Sequence, residues 1–110
     1  MSELTEMKCI ACQAGAPLAT AAETEKWKPK IPDWEFKEVE GIQRLERMFD
    51  FNNFKETLAF VNKVGAIAED EGHHPVMLVE FRNVTVSWWT HKIKGLHAND
   101  FIMAAKTDQL

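Results

Sequence analysis

From Asn53 to Gly72 the sequence carries one uninterrupted helical period, and a short chain must arrange everything else to cover it. Phe54, Leu58, Val61, Val64 and Ala68 recur at helical spacing, with Lys55, Glu56, Asn62 and Lys63 on the other side. Asn53 followed by Glu56 has the form of a capping box, and Gly72 is suited to stop the helix. The expected helix covers residues 53–71. On both sides of it the period changes from 3.6 to 2. Trp34 and Phe36 alternate with Glu35 and Lys37, and after the tight-turn candidate Glu40-Gly41 a second strand carries Leu45, Arg47, Phe49 and Phe51 on one face. Downstream, Met77, Val79 and Phe81 share one face of a third strand, and Val84, Val86 and Trp88 share one face of a fourth, with Arg82-Asn83 between them as the turn.

Two further helices complete the pattern. Residues 18–28 are rich in Ala, Glu and Lys, and Pro29 and Pro32 end that segment because proline lacks the amide donor and restricts its predecessor. Asn99 or His97 opens a last helix carrying Phe101, Ile102, Ala104 and Ala105. The order is αββαββα. It predicts an α+β fold, a four-stranded antiparallel sheet with its helices packed on one face. A length of 110 residues argues for one core, placed at residues 18–110. Residues 1–17, which lack a strong period and include Gly15 and Pro17, are expected to form an irregular N-terminal arm.

Composition narrows the function by exclusion. A formal net charge of -4 and no cluster of basic residues argue against nucleic-acid binding. No segment approaches the ~20 apolar residues of a membrane helix, and the acidic start Met1-Ser2-Glu3 lacks the form of a signal peptide, so a cytoplasmic location is expected. The cysteines, Cys9 and Cys12, form a lone Cys-x-x-Cys without the second ligand pair of a zinc ribbon. They are read as thiols without a catalytic role, the competing reading being half of a metal site shared between subunits.

All four histidines lie between positions 73 and 97. With a turn at Arg82-Asn83, Phe81 faces Val84, Val79 faces Val86 and Met77 faces Trp88, and continuing to the open end of the hairpin His74 faces His91. Both would lie on the sheet face away from the Met77-Val79-Trp88 core, together with Leu78, Ser87 and Trp89. His73 stands at the junction of helix and strand, and Glu69, four residues upstream, is placed to accept a hydrogen bond from its ring. Imidazole exchanges protons near cell pH, and a carboxylate beside it fixes its tautomer, so the cluster suits general acid–base catalysis. A zinc site of three histidines and a water is compatible with the same spacing.

Glu69-Asp70-Glu71-Gly72-His73-His74-Pro75, the aromatic Phe81, His91 and then Asp100 together resemble the pattern of the pterin-4a-carbinolamine dehydratases. The resemblance runs from about Ile31-Pro32-Asp33-Trp34 to Ala105. Trp88-Trp89-Thr90-His91, Gly95-Leu96 and Asn99-Asp100-Phe101 make it closest to bacterial members associated with phenylalanine hydroxylase. It implies dehydration of 4a-hydroxytetrahydropterin to quinonoid dihydropterin without metal or cofactor, the pterin being the substrate. It implies His73 and His91 as the groups that protonate the leaving hydroxyl and handle the ring proton, His74 as a third member, and Glu69, Asp100, Trp89 and Thr90 as binding or orienting residues. Trp89 is placed to flank the ring by stacking. A homodimer or homotetramer is expected, with Phe49, Phe51 and Trp89 offering apolar surface, and phenylalanine hydroxylase is a candidate protein partner. The alternatives are a non-catalytic dimerisation or regulatory module and a zinc hydrolase.

Overall fold

A computed structural model describes residues 18–110. The expected arm at 1–17, with Cys9 and Cys12, lies outside the described residues. Helix α1 (Ala21–Trp27) starts at Thr20, whose hydroxyl accepts from the Glu23 amide while the Glu23 carboxylate accepts from the Thr20 amide. It runs into a short 3₁₀ turn at Lys28–Lys30, where Pro29 closes the segment as expected. Strands β1 (Glu35–Val39) and β2 (Ile42–Asp50) form a hairpin through Glu40 and Gly41, both at positive φ (54° and 80°), which a two-residue hairpin turn demands.

Helix α2 (Phe54–Glu71) sits where its period places it. Asn53 Oδ1 accepts from the Glu56 amide at 2.8 Å, and Gly72 takes the left-handed conformation (φ 67°) that lets the His73 amide bond back to Ala68. Asn53→Ala should therefore lower stability by about 1 kcal/mol and Tm by a few degrees, read by thermal unfolding followed by circular dichroism. The buried stripe is the expected one only in its second half, at Val64 and Ala68. Thr57, Phe60, Val64 and Ala68 face inward, whereas Phe54 and Leu58 are exposed. Two apolar stripes lie side by side on this helix, and the inner one is settled by Thr57, whose buried hydroxyl donates to the carbonyls of Asn53 and Phe81.

Strands β3 (Val76–Glu80) and β4 (Asn83–Trp88) pair antiparallel with Met77 opposite Val86 and Val79 opposite Val84. The two-residue turn is Phe81-Arg82, not Arg82-Asn83, so the register differs from the expected one by two residues. An even slip keeps every side chain on its face, which is why the inward set Val84, Val86 and Trp88 is buried as predicted. Phe81 is not part of the strand and stands exposed at the turn. Helix α3 (Ala98–Thr107) begins at His97, whose Nδ1 accepts from the Asn99 amide.

The sheet order is β1-β2-β4-β3, all antiparallel, so β2 and β4 are central. Leu45, Val84, Val86 and Trp88 meet Trp27, Phe60, Val64 and Phe101 in one core. On the opposite face Met48, Val76 and Leu78 stand exposed, so the helices cover one side of the sheet. The C-terminal end of α3 is tied to the sheet through Asp108, which accepts from Trp34 Nε1 at 2.8 Å and from Arg47 at 2.6 Å. Burial pushes the Asp108 carboxyl above its ordinary value, against the pull of those two donors.

Candidate active site

The C-terminal end of α2, the start of β3 and the end of β4 converge where the sequence places its histidines. Gly72 ends α2 and reverses the chain, so His73 enters the protein while His74 turns to its surface. An open pocket of about 170 Å³ is lined by Gly72, His73, His74, His91 and Lys92. The three expected histidines thus share one cleft. They do not meet as a cross-strand pair, because β3 begins at Val76 and His91 opens a 3₁₀ turn (His91–Ile93) beyond β4.

His73 is 4% exposed, and its ring stacks on the Trp88 indole at 5.6 Å between centroids and 12° between planes. Its Nε2 lies 2.7 Å from Asp100 Oδ1, and Asp100 is fully buried. The second carboxylate oxygen of Asp100 accepts from the Thr90 hydroxyl at 2.8 Å and from the His97 amide at 2.9 Å. The Asp100 carboxylate therefore holds the imidazole, pins β4's extension and caps α3 together. The first turn of a helix is a favourable place for such a negative group.

His74 is the exposed counterpart: its Nε2 is 2.6 Å from Glu69 Oε1, and both side chains are open to solvent. The pairing of carboxylates with histidines differs from the expected one. Glu69 serves His74 and not His73, since the left-handed turn at Gly72 ends the four-residue helical spacing on which the Glu69–His73 reading rested. His73 takes Asp100 instead. Thr90 joins this network as a buried hydroxyl. Trp89 does not line the cleft; it is buried behind it, with its ring 4.4 Å from the ring of His91.

Sequence reasoning missed three contributors. Trp88, assigned only to the core, forms the wall on which His73 stacks. Lys92 lines the cleft, a position its place next to His91 in a short turn could have signalled. Arg44 reaches Trp89 across the sheet, which no reading without the strand order would find. Among the described residues no group of three His, Cys, Asp or Glu side chains is placed to hold a metal ion, and no helix is long and apolar enough to cross a membrane.

The four-stranded antiparallel sheet covered by helices on one side is the fold of solved pterin dehydratase structures. The crystal structure of a transcriptional coactivator/pterin dehydratase from Brucella melitensis superposes with a TM-score of 0.74 at 26% identity, over 84% of this chain and 97% of that one. A pterin dehydratase-like protein identified as a RuBisCO assembly factor in the alpha-carboxysome shares the fold at a TM-score of 0.58 and 22% identity, over 68% and 87% of the two chains. The family model for pterin 4 alpha carbinolamine dehydratase matches residues 16–110. Relatives from Syntrophotalea carbinolica and Nitrosococcus oceani, each named "Putative pterin-4-alpha-carbinolamine dehydratase", are 56% identical over 110 residues, all of this chain and 98% and 97% of theirs. The chain belongs to the pterin-4a-carbinolamine dehydratase family.

Proposed function

We propose that the chain is a 4a-hydroxytetrahydrobiopterin dehydratase that converts the carbinolamine to quinonoid dihydropterin and water by histidine general acid–base catalysis, without metal or cofactor. The observation that carries this reading is the meeting of His73, His74 and His91 in one cleft, two of them held by carboxylates. Dehydration needs one proton delivered to the C4a hydroxyl as it leaves and one removed from the pterin ring. Two imidazoles in opposite protonation states do both, with no net proton change. His73 and His91 are assigned these transfers and His74 shares them or positions the ring. Asp100, with Thr90 behind it, and Glu69 act as positioning residues, fixing which nitrogen of His73 and of His74 carries the proton.

A cleft of about 170 Å³ is smaller than the roughly 300 Å³ at which ligands become enclosed, so a pterin there stays partly open to solvent in a single chain. A homodimer or homotetramer fits that openness. The place of the reaction follows from its chemistry: an aromatic amino acid hydroxylase, with phenylalanine hydroxylase the candidate partner, produces the hydroxylated pterin, and a reductase recycles the product in the cytoplasm.

The test is the dehydration of enzymatically generated 4a-hydroxytetrahydropterin, followed by ultraviolet absorbance with and without chelator. The expected result is an acceleration that chelator leaves unchanged. Loss of the acceleration in chelator would favour the zinc reading, and no acceleration at all would favour a binding module. That second reading is prompted by the Brucella melitensis structure, which carries both coactivator and dehydratase in its description.

A further inference from the structure

His73 and His74 are each aligned by a carboxylate, whereas among the described residues no carboxylate bonds His91. It opens a 3₁₀ turn at whose N-cap position, Thr90, no side-chain cap bond forms, because the Thr90 hydroxyl is committed to Asp100. What the His91 ring does have is Trp89, at 4.4 Å between centroids and 31° between planes. Trp89 is in turn fixed from across the sheet. Leu45 of β2 pairs with Trp88 of β4 as the last pair of that ladder, and Arg44 and Trp89 are the residues just beyond it on the two chains. Its guanidinium carbon lies over the Trp89 ring at 3.9 Å from the centroid.

This arginine behaves unlike an ordinary surface arginine. Its Nε is buried without a hydrogen-bond partner among the described residues. The carboxylate two residues along the strand, Glu46, is occupied by Lys37 at 2.9 Å and by the Ser87 hydroxyl at 2.9 Å. Arg44 acts on that carboxylate only through space, while its guanidinium lies on the indole face, which a planar guanidinium suits better than a lysine ammonium would. Trp89 alternates with the inward Trp88 and so points to the face where Met48, Val76 and Leu78 are exposed, yet it is only 8% exposed itself.

We infer that Arg44 is a positioning residue of the active site, acting through Trp89 to hold the His91 imidazole in the pterin cleft. The inference rests on the dehydratase reading given above, and it extends the site to the sheet face that the helices leave uncovered. Arg44→Met keeps an unbranched apolar stem over the indole while removing the cation; Arg44→Lys restores a cation without the planar stack.

The experiment measures kcat and KM for dehydration in the full chain and both variants, together with the His91 Cε1–H proton resonance, which the ring current of Trp89 displaces. For Arg44→Met the expected result is a fall in kcat of roughly three- to thirty-fold, the range set by a cation–π contact, with KM nearly unchanged and the His91 resonance moved toward that of an exposed imidazole. Arg44→Lys should recover part of both. An unmoved His91 resonance overturns the inference whatever the rate does, and so does a moved resonance with wild-type kcat. A wild type that accelerates nothing sinks the dehydratase reading itself, an outcome separate from either of these.

Discussion

His73→Ala is expected to lower kcat for carbinolamine dehydration by about 10²- to 10⁴-fold, the range that a general acid–base group contributes. The effect follows from where the ring sits. His73 is the buried member of the cluster, stacked on Trp88 and held by Asp100, so neither water nor a neighbouring imidazole can occupy its geometry without rearrangement. The same substitution leaves the Asp100 carboxylate buried without its imidazole, and a loss of stability of about 3 kcal/mol accompanies it. Activity must therefore be read at a temperature where circular dichroism shows the variant folded. His91→Ala at that temperature is the comparison: its exposed ring makes no buried ion pair, so its rate loss should come without a comparable loss of stability. Near wild-type turnover in folded His73→Ala would remove this histidine from the chemistry.

The second large effect is expected at Asp100, and there the two obvious substitutions should part company. Asp100→Ala removes the acceptor for the His73 ring, the Thr90 hydroxyl and the His97 amide in one step, all inside the protein. A cost of about 3–5 kcal/mol is expected, a large share of the roughly 5–15 kcal/mol that holds a domain together. Asp100→Asn keeps the shape, and its carbonyl oxygen can still accept from Thr90 or His97. Its amide nitrogen, however, then faces His73 Nε2 as a donor and selects the opposite tautomer of the ring. Most of the stability should survive, while kcat falls about 10²-fold or more. Denaturant unfolding and kcat measured on both variants separate the two roles. Equal stability losses for Ala and Asn, with unchanged kcat in Asn, would reduce Asp100 to a helix cap.

The elements that depend on local chemistry were legible in the sequence. Asn53 and Gly72 bound α2 because a side-chain acceptor and a left-handed residue are local requirements, and the alternation of Val84, Val86 and Trp88 fixes a buried face whatever the register. The position of the β3–β4 turn was not legible: Asn83 suits a turn, but it pairs with Glu80 in the ladder, and the less typical Phe81-Arg82 makes the reversal. That His73, His74 and His91 gather was expected, but from a cross-strand pairing of His74 with His91 that does not form, and the family resemblance added Asp100 and Thr90. Their partnerships were not legible, since they hang on the backbone reversal at Gly72 and on the way α3 docks. Arg44 was the least accessible of all. Its proximity to Trp89 depends on β2 lying beside β4, a choice of strand order that joins strands separated by the whole of α2 and β3 and leaves no local mark.

The carboxylate of Asp100 belongs to the first turn of the last helix, while the ring it holds belongs to the exit of the middle one. Until the chain's final segment has docked, the imidazole has neither its partner nor its tautomer. The alignment of His73 thus depends on the packing of the last helix against the end of the middle one, and any opening of that contact releases the ring.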